Sequence, residues 1–323
     1  MNVSEQILQI LKEIGIKQIW GVTGDALNTF TNAIRANDDI KWIGVRHEEN
    51  GAFAACAEAQ MTDNLAVCAG TVGPGTLHLI NGLYNAKKER VPVLAISGQV
   101  AQVNLGTNYF QEVGLTKIFE DVCAYQAVIR SAEEAPRIVL RAIQIALEQR
   151  AVVRVEIPVD IASQEAKGSH YRHPVFKGNA TLIPADADIN QMAKVLNESE
   201  KITILAGAGC KEARDEVLAL SEMLKAPIVH TLRSSDIIHN DDKNVVGLTG
   251  LIGNPSGYHA VMKADVLLML GTFGITWGSA KLNLISIAVS PMLNLAGVPP
   301  SFTTSNITSF SRIPNILLRV EVL

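Results

Sequence analysis

Short apolar runs alternate with helical patterns along the first half of this chain, and that alternation leaves few folds open. Runs at 18–22, 41–45, 65–69, 92–97 and 152–157 are rich in β-branched or apolar residues and end near Gly, Pro or a small polar residue. Between them, residues 25–35, 48–60, 75–85 and 135–149 carry helical periodicity. Asp25 stands where an N-cap is expected, and Ile138, Leu140, Ala142, Ile145 and Leu147 read as one apolar stripe. Strands alternating with helices predict a parallel sheet covered on both faces.

After a polar stretch at 163–184, which reads as a linker, the alternation resumes with strands at 202–206, 227–230 and 266–270 and a helix at 211–224. The fold class predicted is therefore α/β, with two tandem doubly wound parallel-sheet domains and an irregular C-terminal tail. The boundaries are 1–162 for the first domain, 185–291 for the second and 292–323 for the tail.

Several classes of function are disfavoured by composition. A formal net charge of -4 with no run of Lys or Arg gives no reason to expect nucleic acid or an anionic membrane. Residues 1–15 carry Glu5 and Glu13 and read as an amphipathic helix, not a signal peptide. The uncharged stretch 282–311 is broken by Asn283, Pro291, Asn294, Pro299 and Pro300, so no membrane span is expected. Cys56, Cys68, Cys123 and Cys210 form no C-x-x-C pair, and His170 and His173 lie in the linker without an acidic or Cys partner. No metal site is predicted, and a reducing cytoplasm is the expected compartment.

Ligands of open α/β sheets collect at the carboxyl ends of strands. There Val45-Arg46-His47-Glu48-Glu49 runs from a strand straight into a helix, so Glu48 either projects over the sheet edge or simply complements the helix dipole. Thr71-Val72-Gly73-Pro74-Gly75 allows close approach of a flat ligand but lacks the Gly-Lys-Ser/Thr ending of a phosphate loop. Gly207-Ala208-Gly209, Thr249-Gly250-Leu251-Ile252-Gly253 and Gly271-Thr272 are further small-residue loops after strands. From composition and spacing alone, the reading ends at a two-domain α/β protein able to bind a nucleotide.

The strings themselves go further. Ile19-Trp20-Gly21-Val22-Thr23-Gly24-Asp25, the segment around Glu48, Gly73-Pro74-Gly75 with Asn81-Gly82-Leu83, Val91-Pro92-Val93-Leu94-Ala95-Ile96 and Tyr109-Phe110-Gln111-Glu112 occur in this order. With Ala226-Pro227-Ile228-Val229-His230 and Gly247–Gly253, they resemble thiamine-diphosphate-dependent 2-oxoacid enzymes, over roughly residues 4 to 272. Within that group the pattern is most similar to pyruvate oxidase and quinone-linked pyruvate dehydrogenase.

This resemblance implies oxidative decarboxylation of pyruvate with thiamine diphosphate and FAD. It implies that Glu48 bonds the cofactor's aminopyrimidine nitrogen and so drives general acid–base work relayed through the ring. An apolar setting for Glu48 is expected from Ala52, Phe53, Ala54 and Ala55. Gly24, Asp25, Thr71, Gly73, Pro74 and Gly75 then line the pyrimidine pocket, and Phe110 and Gln111 match the substrate-side pair. Gly207, Gly209, Thr249, Gly250, Leu251, Ile252, Gly271 and Thr272 match the flavin-contacting loops.

In two places the chain departs from this pattern. The family's third domain carries a Gly-Asp-Gly motif and Mg²⁺-holding Asn residues, and no Gly-Asp-Gly occurs in these 323 residues. Ala288 stands near the position of an Asp that holds the flavin's nucleotide part, and after Asp265 the only acidic residue is Glu321. These departures lead to the expectation of a truncated, inactive form with only the pyrimidine half of the thiamine site and no Mg²⁺ site. Self-association or pairing with a full-length relative is expected. An acetolactate synthase-like fragment and a non-catalytic flavin-binding or regulatory subunit are the competing readings.

Overall fold

The computed structural model describes residues 1–167, 185–272 and the strand Asn283–Ile287. It divides into two compact units, Met1–Gly178 and Asn179–Leu323, each built on its own sheet.

The first unit contains β1 (Gln18–Gly21), β2 (Lys41–Gly44), β3 (Ala66–Gly70), β4 (Val93–Gln99), β5 (Tyr125–Val128) and β6 (Val152–Pro158). They lie in the order β2-β1-β3-β4-β6-β5, every pair parallel. Its helices are α1 (Val3–Glu13), α2 (Asn28–Arg35), α3 (Glu48–Thr62), α4 (Pro74–His78), α5 (Ile80–Glu89), α6 (Leu115–Ile118), α7 (Ala135–Gln149) and α8 (Val159–Ala162).

A parallel sheet must be covered on both faces, and the two-residue repeat of its strands supplies two cores. Val67, Ala69, Leu94, Ile96, Val153 and Val155 pack with Leu8 and Leu11 of α1, Phe30 of α2 and Val139 and Ile143 of α7. The alternate residues, Ala66, Cys68, Val93, Ala95 and Val152, pack with Ala52 and Ala55 of α3, Leu83 of α5 and Phe119. On that second face Arg154 is 0% exposed, its guanidinium 5.1 Å from the centre of the Phe119 ring. It is paired with Glu156 at 2.5 Å, and Gln99 donates to the other Glu156 oxygen at 2.8 Å.

In the second unit β7 (Ile202–Ala206), β8 (Ile228–His230), β9 (Val245–Leu248), β10 (Val266–Leu270) and β11 (Asn283–Ile287) form a parallel sheet in the order β11-β10-β7-β8-β9. Alternation again makes two faces. Ile204, Ile228 and Leu268 join one core, and Leu205, Val229, Leu267 and Met269 join the other. The helices are α9 (Asp186–Asn197), α10 (Arg214–Leu224) and α11 (Pro255–Met262). Both sheets bear out the α/β reading. Among the described residues, no helix is long and apolar enough to cross a membrane.

Local details differ from the sequence reading. Asp25 is not an N-cap: it begins a 3-10 turn, Asp25–Leu27, and α2 starts at Asn28. The helix expected at 75–85 is split at Leu79, whose N–H turns tightly to the Thr76 carbonyl at 3.1 Å. The helix expected at 211–224 begins only at Arg214, because Ala208–Cys210 first forms a 3-10 turn. On α7 Ala142 and Ile145 of the expected stripe are buried, together with Val139, Ile143 and Ala146, while Ile138, Leu140 and Leu147 are only partly covered. Ser163–Ala166, expected to open the linker, pairs with the N-terminus, with Val3 N–H bonded to the Gln164 carbonyl and Ala166 N–H to that of Met1. His170, His173, Ala288 and the 292–323 tail lie outside the described residues.

Removing one partner of a buried ion pair leaves the other charge stranded. Arg154→Met is therefore expected to destabilise the first unit by about 3–5 kcal/mol, read from the urea midpoint. The double change Arg154→Met with Glu156→Leu should recover most of that loss.

Candidate functional site

In each sheet the chain lays strands first on one side of the first strand and then on the other, and such a switch point is where an open α/β fold leaves a crevice. The chain runs from β1 to β2 and then returns to the other side of β1 as β3; in the second unit it runs from β7 through β8 and β9 and returns as β10. The loops leaving β1 and β3 carry Gly24–Asp25 and Thr71–Gly75, and the loop leaving β2 leads to Glu48. The loops leaving β7 and β10 carry Gly207–Gly209 and Gly271–Thr272. Most of the residues singled out by the sequence thus fall at two switch points.

Glu48 is the first residue of α3, only 7% exposed. Its Oε2 lies 2.9 Å from His78 Nδ1, at the end of α4. The other oxygen, Oε1, lies beside Gly75, where an added methyl group would sit 3.1 Å from it and 2.7 Å from Thr71 Cγ2. The carboxylate is thus divided between one oxygen held by an imidazole and one bordering a glycine cradle. The setting is not wholly apolar as expected. Ala52 and Ala55 are buried below it, but Phe53 is exposed and two histidines stand at its mouth. His47 caps α3 through its Nδ1, which accepts from Glu49 N–H at 3.3 Å, and its ring stacks on that of His78 with centroids 4.3 Å apart.

Gly24 abuts Thr71, so a side chain at residue 24 would strike the Thr71 Cβ. The Thr71 hydroxyl oxygen is buried without a hydrogen-bond partner, an opening for a ligand atom. Pro74 begins α4, and Asp25 is exposed at the rim. Gly73 has φ +59, and a Cβ there would collide with the Gln111 carbonyl oxygen. Gln111 itself is held at φ 64. Its neighbour Phe110 is 80% exposed, so the structure places the loop against the glycine turn while leaving the aromatic ring in solvent. Glu112 clasps this loop by accepting from Gly106 N–H at 2.5 Å and Tyr109 N–H at 3.1 Å. The Gly106 N–H, with weaker help from neighbouring amides, holds the Glu112 carboxyl below its ordinary range.

The second switch point is also tight. A Cβ on Gly207 would collide with the Gly271 carbonyl oxygen, and the Gly209 N–H donates to that oxygen at 2.9 Å. Gly271 has φ +60 and touches Gly209 and Cys210. Thr272 meets the same position, its Cβ 2.5 Å from the methyl that Gly207 lacks. Further along the same sheet edge, Thr249 is buried with an unpartnered hydroxyl, Gly250 has φ +118, and Leu251 and Ile252 are exposed. These glycines and the orphaned hydroxyl suit a cofactor lying along the strand ends.

Two family models match the chain. The thiamine pyrophosphate enzyme N-terminal TPP binding domain covers residues 1–118, and the thiamine pyrophosphate enzyme central domain covers residues 189–292. The chain belongs to the thiamine-pyrophosphate-dependent enzyme family. It is similar to an uncharacterized 42.6 kDa protein of Pseudomonas amyloderamosa, 44% identical over 84% of this chain and 69% of that protein. It is 31% identical to the pyruvate oxidase of Lactiplantibacillus plantarum, over 82% of this chain and 44% of the enzyme. A probable acetolactate synthase large subunit of Methanocaldococcus jannaschii is 30% identical, over 90% of this chain and 51% of that protein. The chain thus spans about half the length of these two named enzymes.

His47, His78 and the Asn81–Glu49 hydrogen bond were not singled out by the sequence reading. The signal for His78 was weak: a single histidine three residues after Gly75, facing Glu48 only because α4 folds back over α3.

Because its carboxyl is depressed in the folded state, the Glu112 clasp is complete above the ordinary Glu pKa of about 4.3 and is lost as pH falls through the lowered value. Limited proteolysis within 104–112 should therefore accelerate in acid. Glu112→Gln should give the same acceleration at neutral pH, and equal cleavage rates in variant and parent would refute the clasp.

Proposed function

We propose that this chain supplies the aminopyrimidine side of a thiamine diphosphate site, and a flavin-binding central domain, to a pyruvate-oxidising enzyme. The observation that carries this is the division of the Glu48 carboxylate, with Oε2 held by His78 and Oε1 beside the Gly75 cradle. When bound, thiamine diphosphate supplies the electron sink for decarboxylating a 2-oxoacid. Glu48 Oε1 would hold the proton shared with the pyrimidine nitrogen. Gly24, Asp25, Pro74 and Gly75 admit and border the ring, and the Thr71 hydroxyl offers it a hydrogen bond. Gln111, fixed beside Gly73, orients substrate with Phe110.

The Gly207, Gly209, Gly271 and Thr272 junction and the Thr249–Ile252 loop are assigned to FAD. Thr249 offers the flavin a desolvated hydroxyl, and Leu251 and Ile252 give apolar cover. Pyruvate is the substrate this reading assigns, supported by the match to pyruvate oxidase and by the order of the motifs. The diphosphate and its Mg²⁺ are assigned to residues outside these 323, which hold no Gly-Asp-Gly, and pairing with a full-length relative is one arrangement that supplies them. The match to acetolactate synthase sustains an alternative, condensation of two pyruvates, which the product distinguishes.

Complementation tests the assignment. A full-length relative whose own activating Glu is replaced by Gln should be inactive, and co-assembly with this chain should restore pyruvate-dependent dye reduction. Glu48→Gln should restore none, a loss of about 10²–10⁴-fold for a general acid–base group. Equal rescue by parent and variant, or acetolactate without dye reduction, would overturn the reading. The purified chain should also be yellow; a colourless chain that takes up no FAD would remove the flavin assignment.

A further inference from the structure

Glu48 and two histidines form a second kind of site at the same switch point. His47, Glu48 and His78 each offer a ligand atom, and these atoms all lie within 4.8 Å of one another. Among the described residues, no other three His, Cys, Asp or Glu side chains form such a group. We propose that this triad binds one divalent transition-metal ion of the zinc class, with a fourth position open to water.

The geometry is close to what such an ion needs. Zinc with ligand bonds of about 2.0–2.1 Å places tetrahedral ligand atoms about 3.3 Å apart. His78 Nδ1 and Glu48 Oε2 are now 2.9 Å apart, so a small opening of that hydrogen bond admits the ion between them. The stacked His47 and His78 rings, inclined by 30°, bring the second imidazole alongside. His47 is fixed by its capping bond to Glu49 N–H, and Glu49 is in turn held by Asn81. The Glu49 carboxylate, 3.8 Å from His47 Nδ1, adds negative charge beside the site.

Access and donor type agree with this assignment. The two imidazoles are 45% and 44% exposed, whereas the Glu48 side chain is 10% exposed, so an ion enters from solvent and meets a desolvated carboxylate. Two imidazoles and one carboxylate favour zinc-class ions over Mg²⁺ or Ca²⁺, which prefer all-oxygen shells. The thiols compete poorly: burial pushes Cys123 and Cys210 up to about 12, and Cys68 higher still. Metal binding does not require the cofactor assignment. If Glu48 also serves the pyrimidine ring, the ion and the ring exclude each other.

Calorimetric titration of the full chain with ZnCl₂ in a non-chelating buffer tests the site. One ion should bind per chain, and MgCl₂ should give no binding heat. His47→Gln and His78→Gln should each weaken zinc binding by at least roughly tenfold, the scale seen even for supporting groups around a metal. His259→Gln, on the exposed surface of the second unit, should leave it unchanged. No zinc binding up to millimolar concentration, or undiminished affinity in folded His47→Gln and His78→Gln chains, would overturn the proposal. Co²⁺ added to the unaltered chain gives a check independent of any variant's folding. The strong visible absorption of four-coordinate Co²⁺ is expected, and the weak spectrum of the hydrated ion would count against the site.

Discussion

A carboxylate taken out of water at the end of a parallel sheet must find compensation for its lost hydration, and the first unit is arranged around that requirement at Glu48. Compensation comes from two directions. As the first residue of α3, Glu48 stands at the positive end of the helix dipole. His78, carried over by α4, holds one carboxylate oxygen. Neither contact covers the second oxygen, because Gly75 has no side chain to place over it. What stabilises the buried acid is therefore also what leaves half of it available.

The same topological device appears twice. In both units the chain lays strands first on one side of the unit's first strand and then on the other, and the strands flanking that switch, β1 with β3 and β7 with β10, end in glycine-containing loops. In the second unit Gly207 and Gly271 come so close that a methyl group on Gly207 would meet backbone oxygen. At the first switch point Thr71 keeps a buried, unpaired hydroxyl, and Thr249 does so at the same sheet edge in the second unit. Orphaned buried hydroxyls are uncommon in folded proteins, and a bound ligand is one way such a group finds its hydrogen bond. The two edges fall in the two segments matched by the family models, the N-terminal TPP binding domain and the central domain.

Legibility followed burial. Central strands such as β4, β6, β7 and β10 are continuous apolar runs because both their faces are covered, so they could be placed within a residue or two. β5 and β9 were missed. They are edge strands whose residues are mostly half-buried, Tyr-Gln-Ala-Val and Val-Val-Gly-Leu, and nothing in such short mixed strings demands a strand until a neighbour offers its hydrogen bonds. On α7 a long apolar list hid the true stripe, since Ile138, Leu140 and Leu147 are as hydrophobic as Val139 and Ile143 and only packing chooses between them. Glu48 was legible as a strand-to-helix carboxylate, but its partner was not. His78 lies thirty residues away, and an apolar setting was expected where an imidazole stands.

By itself the sequence determined the fold class, the two sheets and the glycine-rich loops at their carboxyl ends, because period and turn chemistry are local properties of the chain. The family also followed from the order of its motifs. Only the tertiary structure decided how the Glu48 carboxylate is divided, which histidines face it, and that Gln111 backs onto Gly73. Each of these depends on contacts between segments dozens of residues apart. Such contacts are set by strand order and helix packing, and no window of sequence contains them.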